Sequence, residues 1–264
     1  MNMEFKTIQL ERHEEIGVVC LNRPEARNTL NMEMREELRI ALEGLARDGA
    51  VKAIVITGKG TAFCAGGDLG DLRAIGDFKP FQGRQRMQSG HRLILALRNL
   101  EKPVLAAVNG PAFGAGWSLA MACDLVVASS TARFSLSFVK MGLIPDCGCL
   151  YLLPRAIGLP KAKELIMTGR VVEAVEARAL GLVNKVVPPE KLFPEALALA
   201  RELAQGPPLA LGLLKKMVNW TFEKDFLTLL EEEALAQDLC FQTEDHREGV
   251  RAFFEKRKPE FTGK

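Results

Sequence analysis

Apolar and polar positions along the chain fall into two rhythms that alternate. Short β-branched and aliphatic runs at residues 17–21, 53–57, 104–108 and 125–128 predict strands. Between the first two, Met34, Leu38, Ala41, Leu42 and Leu45 recur at the three- and four-residue spacing of one helix face. Asn31 stands where a helix N-cap belongs. Residues 84–100 predict a second helix. Strands that alternate with helices imply an α/β core. After Pro160 the strand signal thins to residues 182–187, and helical spacing dominates at 190–205, 209–222, 226–240 and 245–256. Pro188-Pro189 and Gly206-Pro207-Pro208 punctuate this part. The pattern predicts a core over residues 1–195 and a helical C-terminal region over 196–264.

One segment is used twice. Gly60-Thr-Ala-Phe-Cys-Ala-Gly-Gly-Asp-Leu69 aligns without a gap on Gly110-Pro-Ala-Phe-Gly-Ala-Gly-Trp-Ser-Leu119. Each copy follows a predicted strand, so a strand, a glycine loop and a helix form a unit that repeats. Glycine after a strand lets backbone approach a ligand closely, and the helix start behind it offers free N–H groups. Two such loops could aim their amides at one oxygen as an oxyanion hole, or the glycines could serve tight turns alone. Neither loop has the spacing of a nucleotide-phosphate loop.

Composition narrows the partners. The chain has 264 residues, 48% of them apolar, and a formal net charge of +2. A core of ordinary size is affordable, and no global basic bias points to nucleic acid. No apolar run is long enough for a membrane helix, and residues 1–15 are charged throughout, so a cytoplasmic protein is expected. Six cysteines without CxxC spacing and three histidines imply free thiols. Cys147 and Cys149 admit a metal or redox reading, or simple packing near a helix start.

Four groups of residues occur together in order. They are Leu21-Asn-Arg-Pro24 with Asn28 and Leu30, Ala62-Phe-Cys-Ala-Gly-Gly-Asp-Leu69, Ala106-Ala-Val-Asn-Gly-Pro-Ala-Phe-Gly-Ala-Gly116 with Cys123-Asp124, and Glu248-Gly-Val-Arg-Ala-Phe253. Over nearly its whole length the chain thereby resembles the crotonase (enoyl-CoA hydratase/isomerase) superfamily. The resemblance implies a spiral of ββα turns with a helical C-terminal region that assembles trimers or dimers of trimers. It implies acyl-CoA thioester substrates, with coenzyme A carried by the substrate and no separate cofactor or metal, nucleic acid or membrane partner. The backbone amides of Gly67 and Ala115 would hold the thioester oxygen. Ala26, Ala65, Gly67 and Asp68 would line the substrate site, as would Leu69, Gly70, Trp117 and Phe138.

The departures from the family pattern carry more information. Hydratases of this superfamily place one glutamate where this chain has Ser118 and a second where it has Phe138. Neither replacement can act as a paired acid and base. A carboxylate stands instead in Gly142-Leu-Ile-Pro-Asp146, where ring-epoxide phenylacetyl-CoA isomerases and several 3-enoyl-CoA isomerases resemble it. Asp146 can be a base that removes and returns a proton, or an N-cap of the helix that follows. Phe138, Ile144 and Trp117 form its apolar surround if they are adjacent, and Trp117 and Phe138 either dry the acyl pocket or simply fill core. Asp68 can contact coenzyme A or cap its own helix, and the basic group 256–258 can reach a phosphate or face solvent. His91 is expected to be structural or solvent-facing, and residues 72–83 to help wall the acyl pocket. The expected activity is an acyl-CoA isomerase that works through an enolate. The alternatives are another crotonase reaction, such as hydration or hydrolysis, and a non-catalytic acyl-CoA-binding subunit.

Overall fold

The structure, a computed structural model, describes residues 5–74 and 81–264. The N-terminal half opens with strands β1 (Ile8–His13) and β2 (Ile16–Leu21), helix α1 (Met32–Arg47), β3 (Ala53–Gly58), α2 (Leu69–Ala74) and α3 (Gln82–Asn99). It continues with β4 (Val104–Val108), β5 (Ala112–Phe113), α4 (Ala115–Met121), β6 (Leu125–Ser129) and β7 (Arg133–Ser135). Then come α5 (Cys149–Ile157), α6 (Leu159–Thr168), β8 (Val171–Glu173), α7 (Ala174–Ala179) and β9 (Lys185–Val187). Four helices close the chain: α8 (Leu192–Ala204), α9 (Pro208–Trp220), α10 (Phe226–Phe241) and α11 (Glu244–Glu255).

The main sheet runs β1-β2-β3-β4-β6-β9, parallel from β2 onward. Successive residues of its strands point to opposite faces. One face carries Val19, Ile54, Ile56 and Ala106, which join Leu38, Leu42 and Leu97 of α1 and α3 in the larger core. The other carries Val18, Val55, Leu105 and Val127 under Leu192, Ala196, Leu197 and Ala200 of α8. Helix α8 runs through residue 195, where the apolar pattern had placed the start of the C-terminal region, and its inward stripe covers the sheet.

Each strand leads into a loop that stacks on the loop of the next turn. Leu30 bridges Gly67, Cys64 bridges Ala112, and β5 pairs with β7 in parallel. The repeated segments are therefore neighbours in space. Their contact is backbone on backbone: a Cβ on Gly110 would stand 2.1 Å from the Thr61 carbonyl oxygen, and one on Gly116 would stand 2.2 Å from that of Cys64. Only glycine fits at either position. Buried Asn28 pins the first loop, donating to the carbonyls of Lys59 and Ala62 and accepting from the Arg23 amide.

The predicted helix over 34–45 is α1, and the Asn31 side chain accepts from the Met34 amide at 2.8 Å. No helix among the described residues is long and apolar enough to cross a membrane.

Candidate active site

The two glycine loops meet where β3 and β4 end. A Cβ on Gly66, whose φ is +108°, would stand 3.0 Å from the Phe113 carbonyl oxygen and 3.9 Å from the Ala115 nitrogen. The first loop thus reaches the start of α4. The Gly67 amide and the Ala115 amide, first in α4, donate no hydrogen bond to a protein acceptor among the described residues. Two unspent N–H groups on touching loops are what an oxyanion hole requires.

Four aspartates belong to the motif segments or follow them. Three are committed to cations. Asp68 accepts from Arg23 at 2.7 Å, from Thr29, and from the Gly70 and Asp71 amides that open α2. Burial alone would raise its pKa, but these donors hold it below the ordinary carboxylate value. Asp71 pairs with Arg86 at 3.0 Å and Asp124 with Lys215 at 2.7 Å. Asp146 has no ion-pair partner among the described residues.

Asp146 does not cap a helix either. Gly148 precedes α5, and only the Asp146 backbone carbonyl accepts from Cys149. The carboxylate is half-buried, and its Oδ1 is buried without a hydrogen-bond partner. Burial pushes its pKa up, opposed by the neighbouring Cys147 thiol and by the charges of Arg35, His91 and Arg86. A desolvated carboxylate of this kind is a stronger base than one in water.

Ser118 is fully buried, and its hydroxyl donates to the Asp146 carbonyl at 3.1 Å. The serine that stands where a hydratase glutamate would be therefore anchors the loop that carries Asp146. The Phe138 ring packs 3.5–3.8 Å from where a Cβ on Gly114 would stand, beside the Ala115 amide.

The expected apolar surround of Asp146 needs correction. Ile144 is 76% exposed, because the loop turns it outward while Pro145 is buried. Trp117 is 1% exposed and sits in the core against Phe134, ring centroids 5.4 Å apart, so it fills space behind the loop. Phe138 alone of the three lies beside the loops. Ala26, Ala65 and Gly67 are half-buried around the first loop, while Leu69 and Gly70 are exposed at its end. Arg257 of the C-terminal basic group pairs with Glu248 and Glu255. His91 is exposed on α3. Of the expected pocket wall at 72–83, residues 75–80 lie outside the described residues.

Cys147 and Cys149 are buried, and burial raises both thiols, Cys149 to about 12. No group of three or more His, Cys, Asp or Glu that could hold a metal occurs among the described residues. The packing reading of the C-x-C pair accounts for what is seen.

The arginine at position 35 escaped the sequence reading. It lies on α1, is 2% exposed, and sits beside Gly67 and Cys147. The signal was present: Arg35 stands three residues before Leu38 on the inward stripe, where a charge has no ordinary place.

Comparison with known proteins identifies the family. The enoyl-CoA hydratase/isomerase family description matches residues 11–264. The chain is 39% identical over 263 residues to a crotonyl-CoA hydratase of Syntrophomonas wolfei, covering 99% of this chain and 100% of that one. It is 41% identical over 256 residues to a 1,2-epoxyphenylacetyl-CoA isomerase of Escherichia coli, covering 96% and 97%. A crystal structure of an enoyl-CoA hydratase/isomerase from Cupriavidus metallidurans superposes with a TM-score of 0.93 at 39% identity, covering 99% and 98%.

Proposed function

The chain belongs to the enoyl-CoA hydratase/isomerase family, and from that premise we propose that it isomerises acyl-CoA thioesters through an enolate, with Asp146 as the base. The Gly67 and Ala115 amides polarise the thioester carbonyl, and each donor contributes about 3 kcal/mol to the enolate-like transition state. Asp146 takes a proton from the carbon chain. The C–H electron pair moves into the chain, and the carbonyl π pair moves onto oxygen. The enolate then collapses as Asp146 returns the proton at another carbon, so a double bond shifts or a ring rearranges. Coenzyme A enters and leaves with the substrate, and no further cofactor takes part.

One observation carries the reading. Of the four motif-segment aspartates, Asp146 is the one with no ion-pair partner among the described residues, and one of its oxygens is buried and unpartnered. Hydration asks for a second carboxylate to hold water, and the two positions expected for it carry Ser118 and Phe138. A hydratase remains the second reading, favoured by the name of the Syntrophomonas relative.

The chain assembles as a trimer or a dimer of trimers. Support comes from α10, which has no buried residue and exposes Phe226, Leu227, Leu235 and Leu239. Apolar surface of that extent marks an interface.

A substrate panel tests the function. The purified protein should convert 3-enoyl-CoA or ring-epoxide acyl-CoA thioesters to isomers of unchanged mass. It should hydrate crotonyl-CoA far more slowly. Rapid addition of water to crotonyl-CoA, with no isomer formed from any thioester, would give the function to the second reading.

A further inference from the structure

An arginine is almost never fully buried without a counter-charge. Arg35 is 2% exposed on α1, whereas Arg39, one turn on, reaches out to Glu36 and Glu43. The Arg35 Nη1 donates to the Arg86 carbonyl at 3.0 Å and to the Ser89 hydroxyl at 3.3 Å, both on α3. Its Nε is buried and unpartnered, and no carboxylate forms an ion pair with it among the described residues. Asp71 is taken by Arg86.

Two glycines make room for this guanidinium. Nη2 lies 3.9 Å from where a Cβ of Gly67 would stand, on the oxyanion loop. Nη1 lies 3.7 Å from the missing Cβ of Gly90, and that same corner is 3.0 Å from the Sγ of Cys147, next to Asp146. The cation therefore spans the ground between the two loops of the site. At one end are the amides for the enolate oxygen. At the other is a carboxylate whose Oδ1 is itself buried and unpartnered.

We propose that Arg35 is a positioning residue, a fixed counter-charge that holds Asp146 ionised before proton abstraction and faces the enolate afterwards. The inference rests on Asp146 as the base. Before the step the negative charge is on Asp146. In the step a C–H bond of the acyl chain breaks, the proton goes to Asp146, and the electron pair ends on the thioester oxygen at Gly67 and Ala115. The charge moves from one end of a stationary cation to the other, so little has to reorganise. The groups that face Asp146 are few. Its own loop and the start of α5 offer the thiols of Cys147 and Cys149, which burial keeps protonated. From α1 comes Arg35, and from α3 come Arg86 and His91. Asp71 of α2 stands behind Arg86 and neutralises it. That leaves Arg35 as the uncompensated buried cation.

The test is exchange of the C2 protons of butyryl-CoA in heavy water, which reports enolisation whatever the natural acyl group. Wild type, Arg35→Gln, Arg35→Lys, Ser89→Ala and Asp146→Asn are compared across pH. Arg35→Gln should lower kcat about 10–100-fold with KM little changed. It should also move the acid limb of the profile to higher pH, because Asp146 without its cation holds a proton longer. Arg35→Lys should return the limb towards its wild-type position. Ser89→Ala removes one of the two hydrogen bonds of Nη1 and should move the limb the same way by less. If Arg35→Gln does not fold, the lysine and Ser89 variants carry the test. A limb that stays put in the variants that fold assigns Arg35 to packing and overturns the inference. Near-full exchange by Asp146→Asn, or no exchange by wild type, defeats the base itself, a separate result.

Discussion

Asp146→Asn has opposite expected effects on activity and on stability. The wild-type Oδ1 has no hydrogen bond to lose and the side chain caps no helix, so asparagine removes the charge and otherwise changes only the contact with the Cys147 thiol. Burial raises the carboxyl pKa above its ordinary value, against the pull of Cys147, Arg35, His91 and Arg86. The native state thus binds this proton more tightly than the unfolded chain does. Wild-type stability therefore falls as pH rises from the ordinary carboxylate value through the raised one, and the penalty is fully present at neutral pH. Asparagine does not carry it. The melting temperature of the variant at neutral pH should equal or exceed that of wild type, and the difference should shrink on acidification. Activity goes the other way. Loss of a positioned base costs about 10²–10⁴-fold, or about 3–5 kcal/mol of barrier. Proton exchange into butyryl-CoA, followed by NMR, reads the first effect, and thermal melts at acidic and neutral pH read the second. A variant that exchanges at nearly the wild-type rate refutes the base. One that melts lower at neutral pH refutes the account of an unpartnered carboxylate.

Three further outcomes follow from the contacts. Gly116→Ala puts a Cβ 2.2 Å from the Cys64 carbonyl oxygen, so the loops must part at a cost of at least about 3 kcal/mol; unchanged melting and acyl-CoA binding would contradict the close approach. Ser118→Glu should not create a crotonyl-CoA hydratase, because Phe138 leaves the second carboxylate missing, and it should slow exchange by displacing the loop that Ser118 anchors; a single variant that hydrates would show one carboxylate suffices. Paired substitution of Leu235 and Leu239 by lysine on α10 should lower the mass seen by light scattering, and a wild-type mass of one chain at micromolar concentration would end the assembly proposal.

The elements legible in the sequence were those whose side chains sort cleanly by period. Strands β2, β3, β4 and β6 are runs buried on both faces, and the inward stripe of α1 is apolar but for Arg35. Strand β1 was missed because it is an edge strand with one buried residue in six. Helix α5 was expected behind Asp146 only as a start without a range, because nine residues with Pro154 inside give too little periodic signal. At the site, the glycine loops were legible in the repeated segment, while the two amides and Asp146 were singled out by resemblance to the family. The orientation of Ile144 could not, since a loop has no period to say which residue turns inward. Arg35 was readable as a charge on an apolar stripe, but its meaning depends on Gly67 and Gly90, which lie on other elements and become its neighbours only in the fold.

Ser118 and Asp146 are distant in sequence and joined in space, and the replacements at 118 and 138 are read with Asp146 as one exchange. A hydratase must keep a water molecule between two carboxylates, whereas an isomerase must keep water from the carbon that holds the proton's electrons. Serine at 118 spends its hydroxyl on the Asp146 carbonyl, so it holds backbone and offers no base. Phenylalanine at 138 places a ring against Gly114, beside the Ala115 amide. Either replacement alone would leave half of an acid–base pair beside the thioester. On the proposed isomerase reading they leave one base, Asp146, on a loop that Ser118 anchors. A single carboxylate that both takes and returns a proton needs no partner of its own kind. On the proposed mechanism it needs a cation to stay ionised and a dry wall to stay basic; buried Arg35 is proposed for the first, and half-buried Phe138, beside Gly114, for the second.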